Sequence, residues 1–552
     1  LRRLYFSSGL YEYRLKGRHP LKLLGTPTDV WPGSMTAGTH LLAGKFFCSG
    51  QTLKNPNHDE DQWAAREIWA AAAAPEAFNE RWLEYLHSFC WLRDLNRVVD
   101  RRAARHRAID LLKAWLNQND HWSEMAWRVD ILARRIVNIM AYAPLVFETE
   151  DLVYRSRLLN SLARQARHLY HMSDQLPPGP AGLQALFGLI EAGLYIPHGD
   201  GWLNKALSLL APALQREILK DGGVLSRNPM DQHRLLRDIL RLKASFEDQA
   251  YAVPTALQSA LDRMVPILRA LTHGDGRLAL FNGAYEQGES DVEATLKAAG
   301  LVGIIQEDSR ESGFRRLSSG KTILIVDAGP PAPRSLSRNC HAGSLSFEMS
   351  RGPERIIVNC GNATYFPDQE EGDLFEMSRK TAAHSTLVID DKNSSEIGAD
   401  GLIARGPERV MSHRSGERGH ILLEMSHDGY QKRFGVLHQR SLYMDDSGED
   451  IRGEDILRGR AARTGTAFKI RFHLHPDVNA SPASEEGGIL LRLKSGEIWQ
   501  FLCSGATADL QESLYLGTRG RFSQTRQIVL RQKISTQETV VKWSLHRLES
   551  IS

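Results

Sequence analysis

Cysteine is scarce and carries no pattern. The five thiols (Cys48, Cys90, Cys340, Cys360 and Cys503) show no Cys-x-x-Cys spacing in 552 residues, which excludes a zinc knuckle and a disulfide framework. Cys340 and Cys360 flank neighbouring candidate strands and form either one disulfide or, the expected reading, two buried thiols. Long apolar runs are missing too: no stretch approaches the ~18 residues that suggest a membrane-spanning helix. Charge of one sign is not in excess. The formal net charge of +3 gives no electrostatic reason for a nucleic-acid partner, while local arginine clusters still suit an anionic ligand. What remains is ordinary for a globular chain, with 42% hydrophobic and 24% charged residues. The length exceeds one core and implies two or three domains. The sequence begins at Leu1 rather than Met, which is compatible with a leader ahead of it. The expected location is the periplasm or cell envelope, and otherwise the cytoplasm.

Residues 1–55 are basic and aromatic and read as an irregular arm. From about residue 56 the apolar spacing becomes helical. Trp63–Ala74, Glu76–Arg93, Ala103–Asn117, Trp127–Ala143, Leu152–Met172, Ala181–Tyr195, Trp202–Lys220, Gln232–Phe246 and Ala256–Thr272 each carry apolar residues three and four apart. Helices in this number without strand signals predict an all-α domain over 56–275, and paired helices closing into a toroid fit them. The turn His273-Gly274-Asp275-Gly276 ends it. Short alternating runs follow over 276–552, among them Thr322–Asp327, Ser344–Met349, Arg355–Asn359, Thr386–Ile389, Gly435–Tyr443 and Phe468–His475. They predict an antiparallel β-sandwich.

Potentially reactive residues concentrate in residues 338–391. Arg338-Asn339-Cys340-His341 precedes the alternating Leu345, Phe347 and Met349, Asn359 closes a second run, and Arg379 with His384 precedes a third. If these strands pair, His341, Asn359 and His384 converge at one end of a sheet. Each histidine alone reads equally well as a loop or rim residue.

The same segment resembles the C-terminal domain of the heparinase II/III family of polysaccharide lyases. That signature is close to His-Ala-His-Ala-Asp-x-Leu-Ser-Phe, then Val-Asp-x-Gly, then Arg-x-Thr-x-Ala-His-Asn-Thr-Val-x-x-Asp. Further pieces follow in the family's order: Ser426-His427-Asp428-Gly429-Tyr430, His438-Gln439-Arg440, Gly453-Glu454-Asp455 and Arg471-Phe472-His473-Leu474-His475-Pro476. The resemblance implies an incomplete (α/α) toroid followed by the β-sandwich. It also implies β-elimination on an anionic, uronate-containing polysaccharide or oligosaccharide. That chemistry must neutralise the uronate carboxylate, remove the C5 proton and protonate the leaving oxygen.

The match departs from the signature at the reactive positions. Asn339 stands on the first histidine and His341 on the second. Asp231 stands where the family has its tyrosine, and no Asn-His pair opens the helix at Ala181. The catalytic candidates are therefore His341, Asn339, Arg379, His384 and Tyr365, with Arg227, Asp231, His233 and Tyr430 as substrate-binding candidates. Arg379 is expected to pair with a substrate carboxylate, or else with Glu376 or Asp373. Some family members bind zinc at the positions of His341, Asn359 and His384. Here an amide replaces a carboxylate and makes a poorer zinc set, and a hydrogen-bonded polar cluster is the other reading. Two alternatives to a lyase stand beside it. One is a catalytically altered glycan-binding or assembly protein, and the other is a glycoside hydrolase using Asp231 with Glu348.

Overall fold

The computed structural model describes the chain apart from residues 1, 30, 32, 49–50, 58–60, 75–77, 287–288, 301–302, 364–370, 418, 460–461, 484–487, 536–537 and 549–552. The chain divides into two compact units: Leu1–Glu217 with Arg237–Leu261, and Ile218–Leu236 with Asp262–Ser552. Residues 218–236 thus group with the β-rich unit, although they come from the helical part of the sequence.

The first unit is an array of helices. Leu152–Met172 starts at Asp151, whose carboxylate accepts the Tyr154 N–H, and buries Leu158, Leu162, Ala166 and Leu169 on one stripe. Pro180–Tyr195 is buried on nearly every side. It lies so close to Val129–Ala141 that a Cβ on Gly188 would sit 2.6 Å from the Ala133 Cβ. The single helix expected over Glu76–Arg93 is two, Glu80–His87 and Trp91–Leu95, and Glu76 lies outside the described residues. Phe89 breaks it, holding a left-handed φ of 57°. Its ring is packed among Trp69, Trp91 and Trp115, so burial of the side chain outweighs the backbone preference. The N-terminal arm is partly helical, over Arg2–Phe6 and Gly9–Arg14. Phe6 and Tyr11 anchor it on His168.

The second unit is built on two antiparallel sheets. One runs, in spatial order, Val410–Ser415, Ile421–His427, Leu437–Met444, Asp450–Arg458, Glu538–Leu548, Ile498–Ser504, Ile489–Arg492 and Asn479–Pro482. The other runs Thr507–Tyr515, Ser523–Lys533, Ala467–Leu474, Glu354–Val358, Phe347–Arg351, Thr322–Asp327, Phe314–Ser319 and Asp308–Ser309, with Leu387–Ile389 also paired to Ala467–Leu474. Their inner faces share one core. Phe347 stacks on Trp543 at 5.6 Å between centroids, and Phe472 meets Trp543 edge-on at 4.8 Å. Gly453 is required there, because a Cβ would fall 2.1 Å from the Trp543 ring. That glycine interrupts the alternation of Asp450–Arg458 and conceals it as a strand. Val410–Ser415 and Thr507–Tyr515 end their sheets and bury little, so their patterns are weak as well.

Phe347–Arg351 is buried on both faces rather than alternating with solvent. The second face is covered from residues 273–280: His273 Nδ1 pairs with Ser350 at 2.9 Å and the Leu280 N–H donates to Glu348 at 3.0 Å. Register then places the site. Ala467–Leu474 pairs Ile470 with Leu387 and His473 with Val358, so one strand brings the residues preceding Leu387 beside those following Val358. Cys340 and Cys360 are free buried thiols, raised to about 11 and about 12 by burial.

Candidate functional site

His341 lies between the short 3-10 helix Arg334–Asn339 and the strand Phe347–Arg351, and His384 caps the 3-10 turn Thr381–Ala383. Their imidazoles meet directly, His341 Nδ1 to His384 Nε2 at 3.0 Å, with the rings nearly perpendicular at 75°. The other nitrogen of His384, Nδ1, lies 2.8 Å from the Lys380 carbonyl, and a carbonyl only accepts, so Nδ1 carries the proton. The His341 backbone N–H donates to Asn282 Oδ1 at 3.2 Å, while its Nε2 is buried with no hydrogen-bond partner among the described residues. Burial first, then the neighbouring His384 and Arg379, hold His341 well below the ordinary imidazole value. Burial brings His384 down to about 4.

Asn359 adjoins this pair without facing it as a ligand. Its amide oxygen accepts the Ser385 N–H at 3.0 Å and its NH2 donates to Glu348 Oε1 at 3.3 Å. Those partners fix the amide orientation, since an N–H needs an oxygen and a carboxylate needs a donor. Because the Ser385 N–H takes the Asn359 amide oxygen, His341, Asn359 and His384 do not present three ligand atoms to a zinc ion. Among the described residues no group of three or more His, Cys, Asp or Glu is placed to hold a metal.

Arg379, expected to pair with a substrate carboxylate, and Arg227, a substrate-binding candidate, are both occupied elsewhere. Arg379 is 1% exposed. It donates from Nε to the Cys340 carbonyl at 2.9 Å, from Nη1 to Gly401 at 2.8 Å and from Nη2 to Ser337 at 3.2 Å. Backbone carbonyls rather than Glu376 take these donors, because the loop that carries His341 folds over it, and the Asp373 side chain lies outside the described residues. Arg227, in a left-handed conformation with φ 54°, donates to the carbonyls of Ser312 at 2.7 Å and Pro330 at 2.5 Å and pairs with Asp327 at 2.5 Å. Arg379→Ala is accordingly expected to act on folding before chemistry. Leaving buried carbonyls without donors costs ~1–3 kcal/mol each, so the thermal midpoint should drop by several degrees. An unchanged midpoint would refute the clamp.

The remaining candidates scatter. Asn339 is exposed beside Gly283, where a Cβ would lie 3.0 Å from the Asn339 Cβ and 3.5 Å from Asn228 Nδ2. Half-buried Asp231 accepts the Ser226 hydroxyl at 2.8 Å, and burial raises its carboxyl. His233 turns to the helix Glu289–Ala298, with Nε2 2.8 Å from Thr295 Oγ1. Tyr430 borders a polar cleft of roughly 200 Å³, but its hydroxyl donates to the Leu387 carbonyl at 2.9 Å. Tyr365 lies outside the described residues. Glu348, proposed with Asp231 as a hydrolase pair, is fully buried, and its carboxylate is enclosed by the Leu280 N–H, the Asn359 N–H at 2.9 Å and His273 at 3.1 Å.

The groups that hold the site stand in the family-like runs His438-Gln439-Arg440 and Gly453-Glu454-Asp455, to which the sequence assigned no role. Arg440 faces Asp455 across adjacent strands and binds it through Nε at 2.8 Å and Nη2 at 3.1 Å. Its Nη1 reaches the carbonyls of Leu345 at 3.0 Å and Ser385 at 2.9 Å, and so ties together the two segments that carry His341 and His384. Asp455 also accepts His438 Nε2 at 2.7 Å and Trp543 Nε1 at 3.0 Å. His438 Nδ1 in turn lies 3.1 Å from His427 Nε2. The signal available in sequence was His438 and Arg440 at the inward positions of an otherwise apolar strand.

A helical unit joined to an antiparallel sandwich with this buried histidine cluster defines a polysaccharide-lyase-type scaffold. Residues 306–544 match the family described as Heparinase II/III-like, C-terminal. Among solved structures, a heparinase III shares the fold at a TM-score of 0.76 with 14% identity, covering 98% of this chain and 89% of that one. Heparan sulfate lyase HepC from Pedobacter heparinus does so at 0.62 with 14% identity, covering 98% and 88%. FtsZ-localized protein C of Caulobacter vibrioides (strain NA1000 / CB15N) is 28% identical over 99% of this chain and 94% of its own length. Residues 306–544 are thus heparinase II/III-like, and the chain has a heparinase III-like fold of helical toroid and β-sandwich. Among the described residues no helix is long and apolar enough to cross a membrane.

Proposed function

We propose that this protein binds a glycan and works in an FtsZ-associated assembly, on a lyase scaffold that no longer carries out β-elimination. The observation that carries the reading is the sequestration of Arg227 and Arg379. Arg379 is held by backbone carbonyls and Arg227 by backbone carbonyls and the Asp327 carboxylate, so neither is available to neutralise a uronate carboxylate. Asp231 in place of the family's tyrosine supports the same reading, because a carboxyl engaged by the Ser226 hydroxyl stands where the phenol would act. The association with FtsZ is carried over from the name of the C. vibrioides relative, which aligns along nearly all of both chains.

A lyase remains the second reading, favoured by the bare Nε2 of His341, a group suited to removing a proton. Ultraviolet absorbance separates the two. Purified protein incubated with heparan sulfate, hyaluronan and alginate is expected to form no unsaturated uronate, while retaining at least one of them in a binding assay. A rise in absorbance would establish elimination and overturn the binding reading. Sedimentation with polymerised FtsZ tests the assembly: the chain is expected in the pellet, and a chain left wholly in the supernatant would remove FtsZ from the proposal.

A further inference from the structure

A hollow of roughly 250 Å³ in the helical unit is built from residues 22–26 of the N-terminal arm, the short helix Ala143–Phe147 and the helix Leu152–Met172. The arm is fastened along the last of these. Arg167 donates to the carbonyls of Leu15 at 3.0 Å and Arg18 at 2.6 Å, and His19 Nδ1 lies 2.6 Å from Asn160 Oδ1. The Leu24 N–H then donates to the Tyr195 carbonyl at 2.8 Å. These anchors bring Leu23 and Leu24 to the same hollow as Phe147 and Leu159, so its walls are largely apolar. Leu159 forms the floor at 2% exposure, and Leu24 stands at the rim at 55%.

Two cations share this lining. Half-buried Arg155 is one turn before Leu159 on the same helix face, and Lys22 comes from the arm. Among the described residues neither side chain has a hydrogen-bond or ion-pair partner. No acid lines the hollow. The acids nearby in sequence are engaged or turned away: Glu148 pairs with Arg105, Asp151 with Lys113 at 2.8 Å, and Asp29 with Arg93 at 2.8 Å, while Glu150 is exposed and outside the lining. Two like charges facing one hollow favour an anion in it. An inorganic anion would gain nothing from leucine and phenylalanine walls, which call for a hydrocarbon part. A cavity of ~150 Å³ takes a benzene ring, so this one admits a medium-length alkyl chain. Exposed Leu152, three residues before Arg155, continues the apolar face beyond the rim.

We infer that this hollow binds a free medium-chain fatty acid, its carboxylate between Arg155 and Lys22 and its chain against Leu23, Leu24, Phe147 and Leu159. The planar guanidinium suits the two carboxylate oxygens, and the ammonium adds a point charge. The site is independent of the glycan and FtsZ readings above.

Ligand-observed NMR titration of the full chain with decanoate, kept below its micelle range, tests it. The dissociation constant is expected below roughly 1 mM. Arg155→Gln and Lys22→Gln should each weaken binding about tenfold, the loss expected for one charge-assisted bond. Their thermal midpoints without ligand should match the wild type, because neither side chain holds another part of the fold. Leu24→Glu, which sets an acid at the rim, should abolish binding. Decanol keeps the chain and drops the charge, and should bind at least tenfold more weakly; equal affinity would overturn the role of the two cations. Decanoate bound equally by the wild type and all three variants, or not bound at all, would overturn the site. Phosphatidylglycerol vesicles distinguish the other source of acyl chains and negative charge. Sedimentation with the vesicles and no binding of decanoate would make this surface a membrane contact and overturn the proposal.

Discussion

Asp455→Ala is expected to produce the largest single loss of stability in the β domain, ~3–5 kcal/mol, the cost of breaking a buried ion pair by removing one partner. Asp455 and Arg440 are both essentially inaccessible, at 1% and 0%. The carboxylate gathers four donors: Nε and Nη2 of Arg440, Nε2 of His438 and Nε1 of Trp543. Arg440 and His438 lower its carboxyl well below the usual range against the opposing effect of burial. Without it the guanidinium stays charged and dry. The damage extends to the histidine pair, since the same guanidinium holds the carbonyls of Leu345 and Ser385. Leu345 depends on that hold, because its φ of 59° is a conformation leucine rarely adopts. Denaturant unfolding followed by tryptophan fluorescence measures the effect. Asp455→Asn keeps the shape and removes the charge, and should retain most of the loss. A change below ~1 kcal/mol in both variants would contradict the account, as a median surface pair is worth no more.

Acidification is expected to have the next largest effect, through imidazoles folded in the neutral form. Burial holds His384 at about 4 and His473 at about 3, and holds His341 and His427 well below the ordinary value. In the unfolded chain all four titrate near the ordinary ~6.5. Below that value the unfolded state binds protons that the folded state refuses. Stability is therefore fully present above about 6.5 and is lost as the pH falls toward the folded values, by up to ~1.4 kcal/mol per pH unit for each histidine. Together the four make ~5.6 kcal/mol per unit an upper bound, comparable with the whole stability of a domain. The β domain should then unfold between about pH 6 and 4, above the range where Asp455 and Glu286, held low by their cationic and hydroxyl partners, take up protons. The thermal midpoint measured at half-unit steps from pH 8 to 4 checks this. A midpoint that stays level between pH 7 and 5 would show that these imidazoles are not buried neutral.

The two effects share a cause that explains which parts of the site were legible in the sequence. His341 and His384 announce themselves by preceding alternating strands, and their approach follows from the strand Ala467–Leu474, which pairs with both neighbouring segments. Arg379 announces itself equally well, as a cation shortly before a histidine, yet its role is the opposite of the one its chemistry suggests. A guanidinium recognises a carboxylate and a set of carbonyls with the same donors. Only the path of the chain decides which it meets, and here residues 337–342 and Gly401 close around it. Glu348 is a similar case. The apolar neighbours Phe347 and Met349 suggest a polar side facing water, but the segment 273–280 covers that side, and its backbone N–H groups need an acceptor.

The sequence by itself determined the succession of helical and β-rich parts, most of the helices and inner strands, and the neighbourhood of His341, Asn359 and His384. Those depend on apolar periodicity and short-range turn chemistry, which the order of residues carries directly. Tertiary structure alone decided that Asn359 turns its amide to Ser385 and Glu348, that Arg227 and Arg379 serve the backbone, and that Arg440 with Asp455 supports the histidines from the opposite sheet. A buried polar group must be satisfied by whatever partner the fold brings within ~3 Å, and residues from Asn282 to Trp543 that meet around this core are too far apart in sequence for any local pattern to register them.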